Sequence, residues 1–224
     1  MTYSLQYGQI ARYLPYLATG GLISLLLACL AFAGGMALGL LGAIGGSFAP
    51  RPVQRAVQAY VVFFTNTPQL VQIYFLFFVL PEAGILLSPF QAVWLGMTLN
   101  AGAYLTEIQR AGFASVPRGE LDAAETLGMS LLQSVRYVIL PHVVRTLFAP
   151  LSNQYIIMVL GTSMAAVFGV EELTGRAFSV NAETFRSIEV FSVVGVLYVI
   201  VTLIATLALA VLGRVLFRVR LQVF

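Results

Sequence analysis

The sequence predicts an all-α, polytopic membrane protein, and three observations predict it. Hydrophobic residues make up 59% of the 224 residues, charged residues only 9%, and the mean hydropathy is +0.92. A soluble domain carries roughly 25% charged residues. This chain has too few polar groups to cover a water-facing globule, so lipid must cover much of it. Second, long apolar runs recur, and an α-helix needs about 20 such residues to cross the hydrocarbon core. Third, these runs lack the short alternation of barrel strands, which leaves helices as the spanning elements.

Five spans are predicted, in one membrane domain covering residues 1–224. No residue between Arg12 and Arg51 is charged, and residues 17–41 serve as span one. That run is too long for the apolar part of a signal peptide, and no cleavage site is evident. Gly35 with Gly39, and Gly42 with Gly46, stand four apart in it and permit close helix packing. Cys29 is expected to act as a small buried hydrophobe. Residues 56–80 make span two, 85–106 span three, 147–168 span four and 190–213 span five.

Arginine placement predicts the direction. All twelve basic residues are Arg. With the N-terminus outside, the inner segments hold nine of them: Arg51, Arg55, Arg110, Arg118, Arg136, Arg145, Arg214, Arg218 and Arg220. The outer segments hold three: Arg12, Arg176 and Arg186. The positive-inside rule then puts the C-terminus in the cytoplasm. The outer segment 169–189 is acidic and reads as a loop. The basic pI carries no basic cluster that would suit nucleic acid.

The main polar feature is the inner loop, residues 107–145. It reads Glu120-Leu-Asp-Ala-Ala-Glu-Thr-Leu-Gly128, then nine residues, then Val138-Ile-Leu-Pro141. Pro117 suits a helix entry, and Glu120 and Asp122 fall near the positive end of that helix. Gly128 supplies a left-handed residue to end it. Ser130 with Gln133 forms a capping box for a second helix. Pro141 is expected to break or kink the chain before span four. Ala123 and Ala124 give a small-residue face that a partner can approach closely.

Asp122-Ala-Ala, Gly128, Leu140 and Pro141 at this spacing resemble the EAA loop of permease subunits in binding-protein-dependent ABC importers, with Asp122 for Glu and Val138 for Ile. The resemblance narrows to the polar amino-acid uptake branch. Thr67-Pro68 with Gln72 resembles its Thr-Pro-x-x-x-Gln segment. Asn100, Gly102, Ala103, Tyr104, Glu107, Arg110 and Gly112 resemble its Asn-x-Gly-Ala-Tyr-x-x-Glu-x-x-Arg-x-Gly run. Two departures stand out. The family commonly has Arg-Gly before Thr-Pro, where this chain has Thr65-Asn66, and often Lys-Asp before Thr-Ser, where it has Leu160-Gly161.

The resemblance implies a type I importer subunit in the bacterial inner membrane that pairs with a second permease, identical or homologous. Its inner loop would dock on a dimer of cytoplasmic ATPases, which bind ATP and Mg, and an external binding protein would deliver the amino acid. The residues implied in coupling are Glu120, Asp122, Ala123, Ala124, Gly128, Leu140 and Pro141. A channel or scaffold without an ATPase would explain the spans, but it has no use for helix-Gly-helix-Pro at this spacing.

The residues offer no enzyme chemistry. A P-loop needs Lys, which the chain lacks, and a lone His142 and a lone Cys29 make no metal cluster. Polar residues within spans are costly in lipid and point to function. Thr65, Asn66, Gln69 and Gln72 in span two, Asn100 in span three, and Asn153, Thr162 and Ser163 in span four are the candidates. They could line a hydrated pathway or serve as interhelical hydrogen bonds. The spacing of Thr65, Gln69 and Gln72 predicts one shared helix face. Glu107 and Arg110, three apart, predict an ion pair.

Overall fold

The computed structural model describes residues 4–217, all of whose regular elements are helical. Arg218 and Arg220, part of the orientation count, lie outside the described residues. Among the described residues, three helices are long and apolar enough to cross a membrane: Leu14–Phe48, Leu131–Phe168 and Ser187–Phe217. A fourth span exists if the bent pair Arg51–Thr65 and Gln69–Ala83 counts as one.

The short α1 (Tyr7–Ala11) leads into α2 (Leu14–Phe48), whose Gly34, Gly35, Gly39 and Gly42 face α5 (Pro89–Ala114). A Cβ on Gly35 would stand 2.8 Å from the Ala101 Cβ, and one on Gly39 would stand 2.7 Å from the Leu105 Cβ. The glycines thus serve close packing within this chain, as van der Waals association in lipid requires. Cys29, expected inside, lies exposed on α2.

Helix α5 is the hub. It packs against α2, α3 (Arg51–Thr65), α4 (Gln69–Tyr74) and α8 (Leu140–Gly161). Half of its 26 residues are buried, among them Thr98, Asn100, Thr106 and Gln109. Its polar content is tolerable because protein, not lipid, surrounds it. It runs eight residues beyond the predicted end of span three, to Ala114. The core joins it to α2 and to the Leu131–Phe168 stretch through Leu27, Ile73, Met97, Leu105, Met158 and Phe168.

Span two is not one straight helix. Helix α3 ends at Thr65, and α4 starts at Gln69 with its axis turned by 103°. Pro68, with φ −61° and ψ 132°, cannot donate to a continuing helix and restricts Thr67 before it. Thr65 and Gln69 therefore do not share a helix face, and that expectation is corrected. Beyond α4 the chain widens into a π turn, Phe75–Val79, and tightens into the 3₁₀ turn Leu80–Ala83.

The 107–145 segment also differs from expectation. Helix α6 (Arg118–Thr126) ends at Gly128, whose φ of +67° is the predicted left-handed stop. Ser130 and Gln133 form the predicted capping box, with Gln133 N 3.4 Å from Ser130 Oγ and Ser130 N 2.8 Å from Gln133 Oε1. Pro141 does not break the chain. Helix α7 (Leu131–Ser134), a π turn at Val135–Ile139, α8 and the 3₁₀ turn Thr162–Phe168 form one helix of 38 residues. The π turn re-registers the hydrogen bonds just ahead of Pro141, which has no N–H to give.

The acidic segment 169–189 is not a loop. Gly169 turns the chain at φ +82°, and α9 (Leu173–Thr184) folds back against α2 before α10 (Ser187–Phe217) begins. Glu172 caps α9 by accepting from Gly175 N at 2.9 Å.

Candidate functional site

The break in span two leaves the last carbonyls of α3 without helical partners. Side chains from three elements satisfy them. Asn66 Nδ2 donates to Val62 O at 2.8 Å, and Thr67 Oγ1 donates to Phe63 O at 2.8 Å. Gln72 Nε2 and Asn100 Nδ2 both donate to Phe64 O, at 3.0 and 3.1 Å. Tyr104 OH reaches Thr65 O at 3.4 Å. Asn100 also donates to Gln72 Oε1 at 3.1 Å, which locks α4 to α5. An unpaired carbonyl in an apolar setting costs several kcal/mol (about 1–3 by mutational measure), so these bonds are what makes the break tolerable.

Beside the break lies a cavity of about 560 Å³ between α4, α5 and α8. Its polar lining comes from Thr65, Asn66, Thr67, Gln69, Asn100, Tyr104 and Gln154. Met97, Ala101, Ile157 and Met158 form the apolar part. No lining residue is charged.

Four of the eight pathway candidates, Thr65, Asn66, Gln69 and Asn100, meet at this cavity. The other four do not. Gln72 is buried behind the break and spends its amide on Phe64, Thr67 and Asn100. Asn153 is exposed on the far side of α8. Thr162 is buried and donates to Val159 O at 2.7 Å, and Ser163 is half-buried outside the cavity. Sequence reasoning missed Gln154. The signal was available: Gln154, Ile157, Met158 and Gly161 follow helical spacing, so Gln154 shares a face with Gly161 and Asn153 does not.

A second cavity, about 590 Å³, lies between α6 and the start of the long helix. Glu120, Ala123, Ala124, Pro141 and His142 line it, with Leu127 and Tyr137 at its edge. Ala124 is 3% exposed, while Ala123 faces outward. His142 Nδ1 stands 3.8 Å from Glu120 Oε2 across the groove. Asp122, Gly128 and Leu140 are exposed nearby but do not line it. Leu127, Leu131 and Leu132 are each more than three-quarters exposed at the tip. Glu107 and Arg110 form the predicted local ion pair at 3.2 Å.

A third polar cluster joins α2, α9 and α10. Glu172 is fully buried, and it accepts from Ser24 Oγ at 2.9 Å and Tyr198 OH at 3.0 Å. The adjacent Arg176 turns the other way, donating to Tyr16 O at 2.7 Å and to Thr19 Oγ1. No group of three or more His, Cys, Asp or Glu able to hold a metal ion occurs among the described residues.

Comparison with known proteins is consistent throughout. The family described as the binding-protein-dependent transport system inner membrane component matches residues 35–219. The glutamine transport system permease protein GlnP of Escherichia coli (strain K12) is 36% identical over 203 residues, covering 90% of this chain and 93% of that protein. The L-cystine transport system permease protein TcyB of Bacillus subtilis (strain 168) is 35% identical over 174 residues, covering 78% and 74%. A crystal structure of an amino acid ABC transporter with histidines superposes with a TM-score of 0.87 at 28% identity, covering 95% of this chain and 99% of that one. The chain therefore belongs to the binding-protein-dependent transport system inner membrane component family, and it is a membrane permease subunit rather than an enzyme.

Proposed function

We propose that this chain forms one half of the membrane pathway of an amino-acid importer. The uncharged cavity at the break in span two is the solute's route, and it is the observation that carries the reading. A discontinuous helix at membrane depth is tolerated where it lines a cavity. In this reading residues 1–224 are one transmembrane domain with five spans, α5 among them, a cytoplasmic C-terminus and an external N-terminus. The relatives named for glutamine and L-cystine support an amino acid as the solute.

Helix α6, with the groove that Ala124 and Glu120 line, is the coupling element within residues 107–145. A cytoplasmic ATPase dimer holding ATP and Mg docks there, and an external binding protein delivers the solute. A second permease, identical or homologous, completes the pathway. Closure of the ATPases tilts the long helix and opens the route outward.

The test is uptake of a panel of labelled amino acids by cells deleted for this subunit, with and without the gene restored. Restored uptake of at least one amino acid is expected. Unchanged uptake across the whole panel after deletion would sink the reading.

A further inference from the structure

The cavity beside the break contains no charged side chain, and most of its polar groups are already occupied. Thr65 Oγ1 donates to Val61 O at 2.7 Å, and Thr67, Asn66, Asn100 and Tyr104 each donate to a carbonyl at the end of α3. Two side chains stand apart. Gln69 and Gln154 line the cavity, are half-buried, and make no side-chain hydrogen bond to any described residue. Each offers a primary amide, with two donors and one acceptor oxygen.

Their placement is specific. A Cβ on Gly161 would stand 3.8 Å from Gln69 Oε1, so Gln69 sits against that point of α8. Gln154 lies two turns earlier on the same face, about 10 Å along the axis. Ile157 and Met158 form the apolar wall between them. The site therefore offers an amide at each end of a short hydrophobic stretch, with no counter-ion. A solute that has polar groups at both ends and methylenes between them fits this arrangement. The α-ammonium and α-carboxylate of an amino acid balance each other, but a charged side chain would add a net charge that loses its water here and finds no opposite charge in the lining, which is strongly unfavourable.

We propose that this cavity selects amino acids with a polar, uncharged side chain, and that Gln69 and Gln154 are the residues that read it. The proposal rests on the reading of the cavity as the solute pathway. Substituting a carboxylate for the Gln154 amide would supply the missing counter-charge and turn the preference toward cations.

The test uses the complete importer in detergent without its binding protein, so that the permease alone discriminates. Equilibrium binding of labelled L-glutamine, L-serine, L-arginine and L-glutamate is measured. Glutamine should bind about 10-fold or more tightly than arginine and glutamate, with serine, too short to reach both amides, between them, and Gln69→Leu and Gln154→Leu should each weaken glutamine binding about 10-fold. Gln154→Glu should raise arginine binding above glutamine. Since neither amide has a side-chain hydrogen-bond partner among the described residues, all three variants should assemble as the wild type does. Equal binding of charged and neutral solutes, or variants that leave the ranking unchanged, overturns the proposal. The pathway reading is scored separately, by maleimide labelling of Ile157→Cys in the same complex carrying Cys29→Ser, because native Cys29 is exposed. If none of the four solutes slows that labelling, the cavity is not the route and both ideas fall together.

Discussion

Asn100 on α5 donates to the carbonyl of Phe64 on α3, 36 residues away, at 3.1 Å, in company with Gln72. The helix end at the break is thus held by amides from two other elements. Removing either amide leaves Phe64 O short of a donor, and Gln72 also bonds Thr67. Asn100→Leu and Gln72→Leu should each destabilise the protein by about 1–3 kcal/mol, whereas Gln69→Leu should not. Thermal unfolding in detergent separates the three. A melting point unchanged in the first two would show that the break holds itself.

Gly128 has open space around its Cβ position, so a side chain there meets no neighbour. The cost of Gly128→Val comes from its φ of +67° alone, about 1–2 kcal/mol for an ordinary residue and more for a β-branched one. Gly128→Asn should be tolerated, since Asn visits that region. Ala124→Glu would put a carboxylate at a buried position. Gly128→Val and Ala124→Glu should insert in the membrane yet lose ATPase pull-down and binding-protein-stimulated hydrolysis, while Gly128→Asn keeps both. Wild-type behaviour in all three would remove α6 as the coupling element.

Glu172 is buried with donors from Ser24, Tyr198 and Gly175. Glu172→Leu leaves Gly175 N–H without an acceptor, while Ser24 and Tyr198 keep Gly20 O and Thr174 Oγ1, and should cost about 1–3 kcal/mol. Glu172→Gln keeps an acceptor oxygen and should cost roughly half that. Limited proteolysis of segment 169–189 reads the outcome, because α9 depends on this cap. Equal resistance in both variants and the wild type would mean that packing alone holds α9 in place.

The orientation is checked by reporter fusions. A reporter active only outside the cell should be active after Glu82 or Glu183, and silent after Gly119 or at the C-terminus. Activity after Gly119 reverses the topology.

Local chemistry was legible in the sequence, and distant chemistry was not. Gly128, Ser130 and Gln133 act on neighbours three residues away, so their spacing told the outcome before the fold did. The break at Pro68 was marked by the proline, yet apolar residues on both sides made one straight span look sufficient. Its tolerance depends on Asn100, which no local pattern connects to Phe64. Helix α9 was hidden for the same reason. Glu172 reads as a solvated acid until Ser24, 148 residues earlier, is brought beside it. Pro141 gave a true local signal with the wrong consequence, since a π turn absorbed the missing donor.

The Leu131–Phe168 helix borders both cavities. His142 faces one and Gln154 the other, about 18 Å apart along a single axis. A tilt of that axis would change both volumes together and would link the two sites thermodynamically. Any partner in the groove that favours one tilt alters solute affinity in the cavity by some factor, and the solute must alter the partner's affinity by the same factor. Measuring either binding event at two concentrations of the other ligand yields the coupling constant from both sides, and the two values must agree.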